Sequence, residues 1–344
     1  MKAVLLTKET GWYGKHSGYY EQLPRRLREI GANVEVFTPE NNLVNRGLGK
    51  LAAIRLGLPP RNQSITHAEQ RFWSAWKNSE KVGHLLTFED NHWALPLGER
   101  APRRLIATLH YPPEKMSQKA REALPRLSSA IVLYRRDIPI FEEAVGEGRV
   151  HFIPHGVDIH FFTPPAVGPR NRLAYVGQFG RNTAMLSRIV PRLLDAEPEL
   201  EIDIVIASKA FAEGPLSGLQ KLARVNWHFG IPDEELLNIY QNSRALLLPM
   251  NASGANNAIV EALACGLPIL TTDVGGARDY GGGTIYPLAK NDADDELIDL
   301  TLQILRSETA RMKISQAARE FAVERLAWPK VAAEHLRAYQ ELSS

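Results

Sequence analysis

Short apolar runs alternate with segments of helical period along the whole chain. In the first half the runs are "AVLLT" (3–7), "VEVFT" (34–38), "HLLTF" (84–88), "LIATL" (105–109), "AIVLY" (130–134) and "VHFIP" (150–154). Their near-continuous apolar character is what strands of a parallel sheet need when both faces are covered. Between them lie helical patterns such as "GYYEQLPRRLREIG" (18–31), closed by Gly31 as a C-cap, with Pro24 suited to a first turn. The second half repeats the rhythm with "LAYVG" (173–177), "IDIVIA" (202–207), "VNWHFG" (225–230), "ALLLP" (245–249), "PILTT" (268–272) and "GTIYP" (283–287). "DEELLNIYQNSR" (233–244) is a helix whose Asp233, Glu234 and Glu235 favour the positive end of its dipole. The Pro- and Gly-rich stretch "TPPAVGPRNR" (163–172) reads as a linker. The pattern predicts an α/β protein of two doubly wound domains, 1–163 and 170–325. The tail, 325–344, is amphipathic, with Trp328, Val331, Leu336 and Tyr339 near one face; taken alone it is a helix docked on its own domain.

A length of 344 residues suits two domains of ordinary size, each with a real core. Charge separates the halves. Residues 1–165 carry 23 Lys and Arg against 17 Asp and Glu, and the remainder 18 against 22. Such an imbalance predicts different partners for the two halves. A single cysteine, Cys265, excludes an intrachain disulfide and fits a reducing compartment. No uncharged stretch reaches membrane-spanning length, so the expectation is a soluble, cytoplasmic protein that can still touch the inner membrane face.

The chemistry concentrates in "SGANNAIVE" (253–261). In open α/β sheets ligands bind beyond the carboxyl ends of the strands, and this loop follows such an end at Pro249. Gly254 and Ala255 allow backbone to approach a ligand. Asn256 or Asn257 can cap the helix that follows. Free N–H groups from Gly254 to Ala258, aided by the helix dipole, suit a phosphate. Glu261 lies one turn past Asn257 on the same helix face. A carboxylate there cannot bind the phosphate, but it can accept two hydrogen bonds from a vicinal diol such as ribose. The stretch is shaped for a nucleoside diphosphate; the plain alternative is an ordinary αβ turn with a solvated glutamate.

"PMNASGANNAIVEALACGLPILTTDVGGARDY" resembles the nucleotide-sugar motif of family-4 retaining glycosyltransferases of the GT-B fold. Supporting stretches follow in the same order: "FIPHGVDIHFF" (152–162), "LAYVGQFGRN" (173–182), "FGIPDEELLNIYQNSRALLLP" (229–249) and "LAWPKVAAEHLRAY" (326–339). The resemblance covers nearly the whole chain and is specific in the second half. It implies two Rossmann-like domains, an acceptor site on the first, an activated-sugar donor on the second, and chemistry in the cleft between. It further implies that the final helix, 326–344, packs back on the first domain. The family usually has two glutamates eight residues apart. Glu261 matches the second, which binds ribose, and Ser253 stands at the first. An arginine often follows the glycine matched by Gly177, but here Gln178 does, and Arg181 is the nearest cation for the leaving diphosphate. Gly18 matches a glycine near the donor phosphates. His110, in "TLHYPPE", matches a histidine near the reacting carbon of the donor sugar.

Other residues of the first half suit an acceptor pocket. His16 and Tyr19 flank Gly18, and "TFEDNHWAL" offers Glu89, Asp90 and His92 beside Trp93 at a strand end. Acids, imidazole and indole are what a sugar pocket uses. Glu89 or Asp90 is the only obvious local candidate for a covalent nucleophile. No D-x-D or H-x-x-x-H spacing is present there, so no metal is expected, and no cofactor. Cations mix with Leu and Ile in "RGLGKLAAIRLGL" (46–58), which reads either as a solvated helix or as a segment lying on an anionic bilayer. Nothing resembles a nucleic-acid surface. These observations lead to a retaining, metal-independent transferase moving a sugar, most simply from a UDP-sugar, to a hydroxyl acceptor, lipid-linked or polysaccharide. The alternatives are a nucleotide-sugar or glycan-binding protein with little transfer activity, and a sugar-nucleotide epimerase.

Overall fold

The computed structural model describes residues 1–8, 16–58, 62–77, 79–91 and 104–343. They form two compact units. One comprises Met1–Tyr13, Gly18–Pro154 and Trp328–Ser344, the other Gly14–Ser17 and His155–Ala327.

The first unit is built on six parallel strands: β1 (Lys2–Leu6), β2 (Asn33–Phe37), β3 (Val82–Leu85), β4 (Leu105–Leu109), β5 (Ser129–Val132) and β6 (Val150–Phe152), ordered β2-β1-β3-β4-β5-β6. Every residue of β3, β4 and β5 is buried, which is why these runs show no polar alternation. Helices α1 (Tyr19–Glu29), α2 (Leu43–Arg55), α3 (Gln63–Trp76), α4 (Gln118–Ala123) and α5 (Ile138–Val145) belong to this unit.

Two expectations need correction here. Pro24 is not in a first turn: α1 starts at Tyr19, with Gly18 as N-cap, and carries Pro24 inside it. The ring removes one helix hydrogen bond but is buried with Leu23 and Leu27, so packing offsets the loss. The run 84–88 ends as a strand at Leu85. Leu86 and Phe88 stay buried with single bonds, Leu86 N–H to Leu6 O and Phe88 N–H to Thr108 O, so apolar character there reports burial rather than ladder.

The second unit has β7 (Arg172–Val176), β8 (Glu201–Ile206), β9 (Val225–Phe229), β10 (Ala245–Leu248), β11 (Ile269–Thr272) and β12 (Leu288–Ala289), parallel and ordered β12-β11-β10-β7-β8-β9. Its helices are α6 (Thr183–Ala196), α7 (Asp233–Asn242), α8 (Asn257–Ala264), α9 (Asp294–Arg306) and α10 (Glu308–Phe321). The expected strand at 283–287 is a turn. Gly281 and Gly283 have positive φ, Ile285 N–H reaches back to Gly281 O, and pairing resumes only at Leu288. Tyr286 is apolar there because it packs into the core. The stretch 163–172 is tied to the second unit: Gln241 Nε2 donates to Thr163 O and Arg170 N–H to Asn242 O.

The last helix, α11 (Trp328–Glu341), belongs to the first unit. Its buried stripe is Trp328, Val331, Ala332, His335, Ala338 and Tyr339; Leu336 lies off it, because the i, i+3, i+4 rows from Trp328 pass through His335 instead. One backbone carbonyl sets the direction of a whole hydrogen-bond chain in this stripe. Val331 O can only accept, so His335 Nδ1 donates to it and Nε2 accepts from Tyr19 Oη (2.7 Å). Tyr19 Oη then accepts from Thr108 Oγ1 (2.9 Å), Thr108 Oγ1 from His84 Nε2 (2.8 Å), and His84 Nδ1 from Tyr339 Oη (2.6 Å). Burial holds the His84 proton affinity well below its ordinary value, consistent with the neutral tautomer this chain requires.

Tyr339→Phe is expected to strand the His84 Nδ1 acceptor and cost about 1–3 kcal/mol, read as a lower urea midpoint. Pairing it with His84→Phe should cost less than the sum of the two single changes.

Candidate functional site at the switch point of the second sheet

From β7 the chain runs outward through β8 and β9, then returns to place β10 on β7's other side. The loops leaving β7 and β10 therefore part in opposite directions, and a crevice opens between them at the carboxyl ends. The two loops are laced together. Asn251 and Ala252 N–H both reach Gly180 O, Asn182 N–H reaches Pro249 O, and Arg181 pairs with Met250 in an antiparallel bridge. Glycine is required twice. Gly177 (φ 86°) and Gly180 (φ 71°) are left-handed, and a Cβ on Gly180 would stand 2.4 Å from Ala252 O.

Arg181 is the brace of this crevice. Its Nε and Nη2 donate to Val176 O (3.0 and 2.7 Å), Nη1 to Phe179 O (3.0 Å) with Met250 Sδ at 3.9 Å, and Nη2 to Asn256 Oδ1 (3.2 Å). Its five N–H groups are thereby engaged, so its charge lies at the crevice while its donors hold the loop. Gln178 Oε1 accepts from Ala207 N–H at the end of β8 (3.3 Å).

Asn256 resolves the choice of cap for α8. Its Oδ1 accepts from Ala258 N–H at 3.1 Å. The expectation of free amides therefore shifts by one residue: Ala258 is capped, and the N–H groups of Gly254, Ala255, Asn256 and Asn257 have no acceptor among the described residues. They open an eight-residue helix whose dipole adds to their positive field. Ser253 donates its hydroxyl to Gly254 O (3.0 Å), and its own carbonyl takes the N–H of Gly276. Gly275 presses on Ser253 so closely that a Cβ would lie 1.8 Å from the Ser253 oxygen.

Glu261, one turn into α8, is 4% exposed, so it is not a solvated helix residue. Oε1 accepts the Ser17 hydroxyl, and Oε2 accepts Tyr240 Oη at 2.9 Å. Burial pushes its proton affinity up to about 7, against the lowering pull of these two hydroxyls; Asp233 adds to the rise and Arg181 opposes it. His16 is fastened nearby in the same unit. Its ring stacks on Phe161 at 3.6 Å, Nδ1 lies 3.6 Å from Asp158, and its N–H reaches Asp233. Sequence reasoning missed Ser17, Tyr240 and the Gly275–Gly276 pair. Tyr240 was within reach, since it sits seven residues past Asp233 and so on the same face of α7.

The donor, acceptor and catalytic candidates of the first unit have these partners. Gly18 is the N-cap of α1. Tyr19 is 2% exposed, with its hydroxyl in the α11 network, so it presents no group to solvent. Glu89 Oε1 accepts the N–H groups of His110 (2.7 Å) and Tyr111 (2.8 Å), and burial raises its carboxyl to about 7. His110 Nε2 donates to Leu86 O (2.8 Å). Asp90 stands 3.7 Å from Lys8 Nζ at the surface. Thus Glu89, Asp90 and His110 gather where β3 and β4 end, whereas His16 is held in the second unit. His92 lies outside the described residues.

A glycine-lined crevice at a switch point, ending in helix-mouth amides that have no acceptor among the described residues and lie above a buried carboxylate, is the ligand-site geometry of a doubly wound α/β fold. Residues 170–307, from β7 to α9, match the family model "Glycosyl transferases group 1". The chain is 24% identical over 235 residues to an MMP alpha-(1->4)-mannosyltransferase of Mycolicibacterium hassiacum, covering 66% of this chain and 56% of that one. It is 31% identical over 215 residues to a GDP-mannose-dependent alpha-(1-6)-phosphatidylinositol monomannoside mannosyltransferase of Mycolicibacterium smegmatis, covering 54% and 56%. The chain spans about half the length of the curated relatives it matches. In fold it is similar to a sucrose-phosphate synthase of Thermosynechococcus elongatus (TM-score 0.77, 16% identity, 99% and 98% covered). It is also similar to HepE of Anabaena, crystallised with UDP (TM-score 0.71, 17% identity, 99% and 100% covered). The chain is thus similar to the group 1 glycosyltransferases over residues 170–307, and its fold, with two Rossmann-like domains, is of the GT-B type.

Asn256→Ala should remove the α8 cap and one Arg181 contact together. The expected loss is about 0.5–2 kcal/mol of stability in thermal unfolding. Gly180→Ala should be worse for the crevice, because backbone rather than a side chain tip blocks the new Cβ.

Proposed function

We propose that the protein is a retaining, family-4 glycosyltransferase that moves a sugar from a nucleoside-diphosphate donor, most simply a UDP-sugar, to a hydroxyl acceptor. The observation that carries this reading is the row of four N–H groups at Gly254–Asn257 with no acceptor among the described residues, and the Glu261 carboxyl buried one turn below. The amides would hold the diphosphate, as a preformed site for charge that grows as the anomeric bond breaks. Glu261 would accept ribose hydroxyls on the lone pairs that Ser17 and Tyr240 leave. Arg181 would act by position: its charge raises the local potential while its donors keep Asn256 and the loop in place. The acceptor would attack from the departing face and pass its proton to the leaving diphosphate. Gly254 and Ala255 would leave backbone open beside the donor, and His110, braced by Glu89, would lie near the sugar with Asp90 on the acceptor side. We propose that the helix mouth supplies the positive field without a metal, and that a lipid-linked or polysaccharide hydroxyl is the acceptor in a cytoplasmic setting.

Two observations favour a second reading. Ser253, at the position where the family usually has an acid, turns its hydroxyl onto its own loop, and Arg181 has no donor left for a leaving group. On this reading the protein binds nucleotide sugars with little transfer. Turnover of UDP- and GDP-sugars, with and without chelator, separates the two. Sugar release that survives chelation supports the transferase; binding without turnover of any donor supports the second reading.

Nucleotide-sugar affinity should track the Glu261 proton. The carboxylate is the acceptor, so the dissociation constant should fall by up to about tenfold per pH unit as pH rises toward 7, then level off. Calorimetry with UDP-glucose and GDP-mannose suits the test, since neither donor titrates in this range. Glu261→Gln should flatten the profile and weaken binding by roughly 1.5–3 kcal/mol. Unchanged affinity in that variant would remove the ribose role. Ser253→Glu should shift the ratio of rates between donor sugars.

A further inference from the structure

Six of the large apolar side chains left exposed among the described residues fall within 14 consecutive positions: Leu43 (84%), Val44 (70%), Leu48 (45%), Leu51 (66%), Ile54 (69%) and Leu56 (42%). The first five are on α2. At 100° per residue, Leu43, Val44, Leu48, Leu51 and Ile54 fall in one arc of about 140°. The opposite face is fixed inward. Gly49 lies against α3 so closely that a Cβ would stand 1.7 Å from Gln63 O, and Ala52 and Ala53 are half-buried beside it. The helix therefore cannot roll to hide its leucines. Its apolar side faces away from the unit it is anchored to.

Charge decides what covers this face. Arg46 and Lys50 flank the arc on one side and Arg55 lies at the other, all three exposed, and no acid occurs from 43 to 58. An apolar stripe edged by cations alone matches the acyl–headgroup boundary of an anionic membrane. A second copy of the same helix would instead bring like charges together. No helix among the described residues is long and apolar enough to cross a membrane, so the contact is one of lying on the surface. We propose that α2 docks the protein flat on an anionic lipid bilayer, with Leu43, Val44, Leu51 and Ile54 entering the interface and Arg46, Lys50 and Arg55 meeting headgroups. This inference does not rest on the donor chemistry of the second unit.

The test is flotation of the full chain with extruded vesicles of phosphatidylcholine, alone or with about 30 mol% phosphatidylglycerol. Binding to the anionic vesicles is expected to exceed that to neutral ones by about tenfold or more, and to fall in high salt. Leu51→Asp with Ile54→Asp should abolish flotation while leaving nucleotide-sugar binding unchanged, since both side chains are exposed in the free protein. Lys50→Glu should weaken only the anionic preference. Absence of flotation in the wild type, or flotation that survives the double aspartate change, overturns the proposal. So does a concentration-dependent dimer in light scattering that the same change dissolves, which would assign the face to self-association.

Discussion

The crossover between β7 and β10 is the constraint on which the second unit depends. Two adjacent parallel strands send their loops apart, and the space between their carboxyl ends has no strand to fill it. A gap of that kind must be closed by backbone, because side chains at these positions would meet the opposing loop. Gly180 against Ala252 and Gly275 against Ser253 are the two places where the closure is tightest. Once the loops are this close, their carbonyls crowd together on the sheet side, and a cation must compensate. Arg181 does so, spending its donors on Val176, Phe179 and Asn256. The amides, pointing the other way, are then left without an acceptor among the described residues at the mouth of α8.

That division of polar groups has an energetic consequence. An unpaired N–H costs little while water reaches it and much when it is buried dry, at roughly 1–3 kcal/mol each. A row of four such groups persists in a folded protein only where it faces solvent or a ligand. Beneath them, the Glu261 carboxyl is held up to about 7 by burial although two hydroxyls serve it. The first unit shows the same economy in apolar surroundings. There burial keeps the His84 proton affinity well below its ordinary value, and one carbonyl, Val331 O, orders the donors from His335 to Tyr339.

Much of the architecture was legible before any coordinates. Eleven of the twelve apolar runs correspond to strands displaced by a few residues at most, because a doubly covered parallel strand must be apolar at every position. The exception, 283–287, shows the limit of that logic: Tyr286 is core without being sheet. The helix mouth was legible too, since small residues, asparagines and one acid have few other reasons to adjoin. What could not be read was who holds Glu261. Ser17 and Tyr240 are 244 and 21 residues away from it in the chain, and no local spacing links them. Likewise Arg181 reads as a loop cation reaching outward, yet its partners are carbonyls that only the folded loop turns toward it. Tyr19 and His16 show a related limit: polar tips on large rings are equally suited to a pocket and to a buried network, and the sequence did not show the partners that hold them.

The helix mouth therefore holds two opposed tensions a turn apart. The amides at 254–257 favour negative charge, while burial makes the carboxyl at 261 resist becoming negative. A ligand with a diphosphate at one end and a neutral diol at the other relieves both at once. Its phosphates meet the amides, and its hydroxyls add hydrogen bonds that favour the ionised carboxylate. A simple anion would relieve only the first tension and would sit a turn away from an acid it repels. On the proposed reading, the arrangement would therefore select a nucleotide over free phosphate. By linkage, whatever binds the folded unit and not the unfolded chain must also stabilise it, in proportion to how well both needs are met.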